Sequence, residues 1–127
     1  MIRSEHNKSG APVMKLAVEQ SEGKITRVNL EGRMDIEGVR EIDDAFTFVT
    51  ATRTALVAVN LAGVTFMSSI GIRTIISAAR GQKQRGGRFA LAAPEPMVRK
   101  ALVTAGVDQL VPIHDTLDAA CIALQKD

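Results

Sequence analysis

TALVAVNLAGVTFMSSIGIRTII, residues 54–76, decides how this chain folds. From Ala55 to Val59 it is almost continuously apolar, as a central strand covered on both faces must be. Past Ser68 and Ser69 the period changes. Ile72, Ile75, Ile76 and Ala79 form one stripe, while Arg73, Ser77, Arg80 and Gln84 line the opposite face, so the segment is an amphipathic helix. It ends at Gly86-Gly87, with Arg80, Lys83 and Arg85 near its carbonyl end, where cations are favoured. A buried strand therefore hands over to a helix at two serines.

Working outward toward the N-terminus, Met14, Leu16 and Val18 alternate with Lys15, Ala17 and Glu19, and Thr26, Val28 and Leu30 alternate with Arg27, Asn29 and Glu31. Glu22-Gly23 between them is a turn signal, so the pair reads as a hairpin with one wet face. After Asp35, the residues Ile36, Val39, Ile42, Phe46 and Val49 fall at helical spacing, with Glu37, Arg40, Glu41, Asp43 and Asp44 mostly opposite. Acidic residues near that start suit a helix N-terminus. Toward the C-terminus, Phe89, Leu91 and Ala93 alternate as a strand that Pro94 breaks. Pro96 opens a helix carrying Met97, Ala101, Leu102 and Ala105, closed by Gly106. Leu110, Val111 and Ile113 allow a short edge strand, and Asp115 or Thr116 caps a last helix that turns Leu117, Ala120, Cys121 and Leu124 inward. Strands separated by helices of this length pair in parallel through right-handed crossovers. The expected architecture is α/β: a single domain with a mixed, mostly parallel sheet of four to five strands and four helices packed against it. Residues 1–12 read as a flexible polar tail and residues 13–127 as the domain.

The 127 residues suffice for one core. Hydrophobic residues at 46% and charged residues at 24% are those of an average globular protein and do not favour disorder, and no apolar run approaches the roughly 20 residues of a bilayer span. The N-terminus lacks the apolar stretch of a secretory signal, so a cytoplasmic protein without membrane insertion is expected. A net charge of +2, spread along the chain without Tyr or Trp, argues against nucleic acid. Cys121 is the one cysteine and sits on an apolar helical face. His6 and His114 are far apart and have no ligand cluster around them, so no metal site is expected.

The two serines admit three readings. A hydroxyl at such a junction caps the helix by accepting a hydrogen bond from a backbone N–H, contributing about 1 kcal/mol. Alternatively it faces solvent on a rigid platform, where a phosphate would be accommodated by the helix start and would change the surface rather than the fold. A nucleophilic serine would need G-x-S-x-G with a histidine base, yet Met67 stands two residues before Ser69, only Gly71 fits, and no acid pairs with His114 by a recognisable spacing. A glycine-rich phosphate loop is also absent, so the domain is not expected to bind ATP itself.

The order of elements, GRMD at residues 32–35 and VNLAGVTFMSSIGIRTII at residues 59–76 together resemble the STAS domain family, whose best-known soluble members are bacterial anti-sigma factor antagonists. The likeness runs from about Met14 onward. It implies a non-enzymatic protein, without cofactor, that docks onto an anti-sigma factor which is also a serine kinase. Phosphorylation of one serine at the helix start releases the complex, and a separate serine phosphatase resets it. Carried onto this chain, the acceptor is Ser69, with Ser68 as the alternative, and Asp35 matches the acidic residue that ends the second strand near the switch serine. The surrounding loop from Gly63 to Gly71, including Met67, Ser68, Ser69 and Ile70, would form the docking surface together with Arg73 and Ser77 on the exposed helix face. Ser68 stands where the prototype has an aspartate, and Ile70 replaces a second serine. The same resemblance admits a rival role, as the STAS subunit of a lipid-transport ABC system or the scaffold of a sensory assembly.

Overall fold

The computed structural model describes residues 12–20, 25–52 and 56–126. The expected N-terminal tail, the Glu22-Gly23 turn and Ala55 lie outside the described residues. Five strands form one sheet in the order β1 (Met14–Gln20), β2 (Ile25–Met34), β3 (Leu56–Met67), β4 (Arg88–Ala92) and β5 (Ile113–His114). β1 runs antiparallel to β2, and every other pairing is parallel. Helices α1 (Ile36–Thr52), α2 (Ser69–Gln84), α3 (Pro96–Thr104) and α4 (Leu117–Gln125) complete the domain.

Alternation along β3 divides the core in two. Val57, Val59 and Leu61 point into a large cluster with Val39, Ile42 and Phe46 of α1, Ile75 and Ala79 of α2, and Val98 and Leu102 of α3. Ala58 points the other way and joins Ala90, Ala92 and Ile25 beneath Ala120, Cys121 and Leu124 of α4. Burial on both faces explains why this strand reads as a continuous apolar run. The small alanines let α4 pack directly on the sheet. That helix covers only part of its face, where Lys15, Ala17, Glu19 and Glu31 remain exposed, and Val18, expected on the buried side of β1, is also exposed.

Further expectations from the sequence do not hold. Ile36 is 62% exposed rather than part of the inward stripe of α1. At about 100° per residue it points roughly 100° away from the mean direction of Val39, Ile42, Phe46 and Val49. Met97 is likewise exposed, because Val98 and Leu102 set the inward direction of α3, and Ala105 is exposed as the residue that caps that helix. Ala93 adopts φ 57° just past β4, which therefore ends at Ala92. The edge strand expected over Leu110, Val111 and Ile113 contracts to Ile113–His114, preceded by a 3₁₀ turn over Val107–Gln109. Pro112 accepts a hydrogen bond from Leu91 N at 3.0 Å but has no N–H with which to extend the ladder. Of the two candidate caps for α4, Thr116 takes the role, its Oγ1 accepting from Ala119 N at 3.0 Å, while Asp115 pairs with Arg99 at 2.6 Å. Among the described residues no helix is long and apolar enough to cross a membrane.

Candidate functional site

β2 and β3 end side by side, with Met34 paired to Met67, and each passes into its helix through one residue, Asp35 or Ser68. The two junctions share a construction. Asp35 Oδ1 accepts from Gly38 N at 2.8 Å, and Ser68 Oγ accepts from Gly71 N at 3.3 Å. Each side chain thus caps its helix through the third residue beyond it, satisfying an N–H that the helix cannot. That third residue must be glycine in both places. A Cβ on Gly38 would lie 1.9 Å from the Arg33 carbonyl oxygen, and one on Gly71 would lie 2.9 Å from both the Met34 oxygen and Met67 Sδ.

The junctions are also tied to each other. Met34 O accepts from Ser68 N at 3.1 Å and from Ser68 Oγ at 2.7 Å. The Ser68 hydroxyl therefore donates once and accepts once within the fold. Ser69, the first residue of α2, is exposed, and its hydroxyl makes no hydrogen bond among the described residues. The start of a 16-residue helix, with its positive dipole end, lies beneath it. Beside it, Arg33 Nε donates to Asp35 Oδ2 at 3.1 Å. The Gly38 N–H, and secondarily Arg33, hold the Asp35 carboxyl below its ordinary range.

Further along α2, Arg73 and Ser77 are exposed, and with Ile70 and Thr74 they line a groove of about 350 Å³ between α1 and α2. Asp43 and Thr47 belong to the α1 wall. Arg85 marks the far end, its Nη2 donating to Thr50 O at 2.6 Å. Of the residues expected at a docking surface, Ser69, Arg73 and Ser77 are exposed and Asp35, Ser68 and Ile70 half-buried. Met67 and Gly71 are buried and shape the junction from beneath.

Sequence reasoning missed Phe66 and Ile36, large apolar side chains 48% and 62% exposed beside the two junctions. Alternation would bury Phe66 with Val64, but the β2–β3 register shifts between Gly32 and Arg33, which breaks the alternation and turns Phe66 outward. It also missed Gly38, although the spacing cap-x-x-Gly, D-I-E-G at 35–38 and S-S-I-G at 68–71, was available as a signal. His114 pairs with Ala92, which is level with Asn60, and Asn60 to Met67 spans roughly 20 Å of strand. Its imidazole is out of reach of the Ser69 hydroxyl.

Residues 15–120 match the STAS domain. Among solved structures, the chain is similar to an anti-sigma factor antagonist from Mycobacterium paratuberculosis, at 24% identity and TM-score 0.81, covering 89% of this chain and 95% of that one. It is also similar to an anti-sigma-factor antagonist (STAS) domain protein from Planctomyces limnophilus, at 23% identity and TM-score 0.77 over 87% and 98% of the two chains. The Bacillus cell fate determinant SpoIIAA in the phosphorylated form shares 19% identity and TM-score 0.65, over 86% of this chain and 99% of that one. Identities this low speak to the fold alone, whereas the family match spans most of the chain and includes both junctions. The chain belongs to the STAS domain family.

Proposed function

We propose that this protein is a cytoplasmic anti-sigma factor antagonist that works by partner switching. Unmodified, it binds an anti-sigma factor that is also a serine kinase; phosphorylated on Ser69, it is released. The partner supplies ATP. Ser69 Oγ attacks the γ-phosphorus, the bond to the β,γ-bridging oxygen breaks, ADP leaves, and the hydroxyl proton passes to a base on the kinase. A separate phosphatase reverses the state when water displaces the seryl oxygen and inorganic phosphate departs. Asp35, Ile70, Arg73 and Ser77 surround or follow the acceptor and make up its docking face, with the half-buried Ser68 beneath.

One observation carries this reading: of two adjacent serines, Ser68 is committed to the fold by both donating and accepting, and Ser69 is exposed and uncommitted. A modification of about −1.5 to −2 charges at Ser69 then acts on whatever covers it and leaves the helix cap alone. An uncompensated charge at a covered surface costs a few kcal/mol, or on the order of a hundredfold in affinity.

The test incubates the protein with candidate anti-sigma kinases and ATP, maps the modified residue by mass spectrometry, and measures kinase affinity by calorimetry. Unmodified protein and Ser69→Ala should bind alike, with Ser69→Ala resisting phosphorylation, while Ser69→Glu should bind at least about tenfold more weakly. Equal affinity of all three forms, or phosphate found elsewhere, would overturn the reading.

A further inference from the structure

Arg73 stands four residues after Ser69 on α2, and both are exposed. Residues four apart on a helix are neighbours on its surface, close enough for an acid and a base to pair. The guanidinium forms no hydrogen bond or ion pair among the described residues, so none of these has claimed it. The other charges around the acceptor are differently placed. Arg33 is engaged with Asp35, Arg85 is held at the far end of the groove by Thr50 O, and Asp43 lies across the groove on α1.

We infer that Arg73 is the second half of the switch, an intrahelical clamp that pairs with the phosphate once Ser69 is modified. The inference rests on Ser69 as the acceptor and adds how the modified state is held. A phosphoserine presents three strong acceptor oxygens, and a guanidinium presents donors in a planar fork that binds them two at a time. In the unmodified protein Arg73 lines the α1–α2 groove and offers a cation to a docked partner. In the modified protein the same side chain turns to the phosphate. Modification thus withdraws a positive charge from the docking face as it adds a negative one, and neither step moves the backbone.

The test needs no kinase. Phosphoserine is encoded at position 69 during translation of the full chain, and the ³¹P resonance is titrated through its second ionisation, near pH 6 when unperturbed. Pairing with Arg73 favours the dianion, so this ionisation in the Arg73 protein should fall roughly half a pH unit below that in Arg73→Gln. Arg73→Lys should retain part of the difference, and Arg80→Gln should titrate like the parent. High salt should narrow the gap, as for any exposed pair. Identical titrations for the parent and Arg73→Gln would overturn the inference while leaving Ser69 available as an acceptor. So would a shift produced instead by Arg33→Gln, which would assign the phosphate to the other junction. Failure of any kinase to modify Ser69 would strike at the proposed function and leave this titration unaffected.

Discussion

Replacing Ser68 and Ser69 by alanine, one at a time, separates architecture from switching. Ser68→Ala removes two hydrogen bonds: the cap accepted from Gly71 N at 3.3 Å and the bond donated to Met34 O at 2.7 Å. The cap is long, so it belongs at the low end of its class, about 0.5–1 kcal/mol. The bond to Met34 is short and joins the two strand ends, and such a bond contributes about 0.5–1.5 kcal/mol net. Met34 O keeps its bond from Ser68 N, so its carbonyl is not stranded. The expected loss is about 1.5 kcal/mol, or roughly 5 °C in Tm for a domain of this size. Ser69→Ala removes an exposed hydroxyl that bonds to nothing in the described structure and adds a better helix former, so its change should stay within about 0.5 kcal/mol. Thermal unfolding followed by circular dichroism, with urea titration as the equilibrium check, measures both. Equal losses, or a larger loss for Ser69→Ala, would refute the assignment of the cap to Ser68 and of the free hydroxyl to Ser69.

Asp35→Ala should cost about 1 kcal/mol near neutral pH, by uncapping α1. Because the folded-state pKa of Asp35 is lowered, its contribution is fully present above the ordinary carboxylate value of about 3.9 and is lost as pH falls through the depressed folded value, so the urea midpoints of parent and Asp35→Ala should converge in acid. Gly38→Ala should destabilise by about 2 kcal/mol or more, against the usual gain from alanine in a helix, because the new methyl would meet the Arg33 carbonyl oxygen at 1.9 Å and Met14 Cγ at 2.6 Å; a Tm at or above the parent value would contradict that geometry. Leu102→Ala, at a fully buried position under α3, should lose about 2–5 kcal/mol by equilibrium unfolding, while Met97→Ala on the same helix should lose under about 0.5 kcal/mol.

Periodicity was enough to read β1 to β4 and all four helices, because the helices and β2 turn apolar stripes to the core while β3 and β4 are apolar on both faces, with core on either side of them. It failed at element ends. Ile36 and Met97 sit in the first turn of their helices, where a side chain can lie far from the mean inward direction and still look periodic to a count of spacings. β5 shrank for a covalent reason, the missing N–H of Pro112, together with the turn that precedes it. In the site, the pair of serines was legible from residue type and position, and Asp35 from the family resemblance, but which serine caps was not. That depends on Met34 O coming within 2.7 Å of one hydroxyl, a contact between residues 34 apart in the chain. The need for glycine at 38 was hidden for a similar reason, since the atoms it must avoid, from Arg33 and Met14, are brought there by the turn into α1 and by the pairing of β1.

The pairing of β2 with β3 explains how the two helix starts come to lie side by side. Asn29 is level with Asn60, Glu31 with Gly63 and Arg33 with Phe66, so β3 gains one residue on β2 at each of two irregularities. Had the register of Asn29 and Asn60 continued unbroken, Met34 would lie opposite Thr65, and the two capping residues would stand two residues out of step, roughly 7 Å along the strands. Ser68 could not then reach the Met34 carbonyl. The irregularities bring Met34 level with Met67 and set Asp35 and Ser68 side by side, and the second of them turns Phe66 outward. A rigid platform follows from this, since the side-chain hydrogen bonds that cap each helix start are made by Asp35 and Ser68, none by the Ser69 hydroxyl. A phosphate on Ser69 would leave that framework standing, and its free energy would fall on the partner's contacts and on the neighbouring Arg73, where a release mechanism needs it.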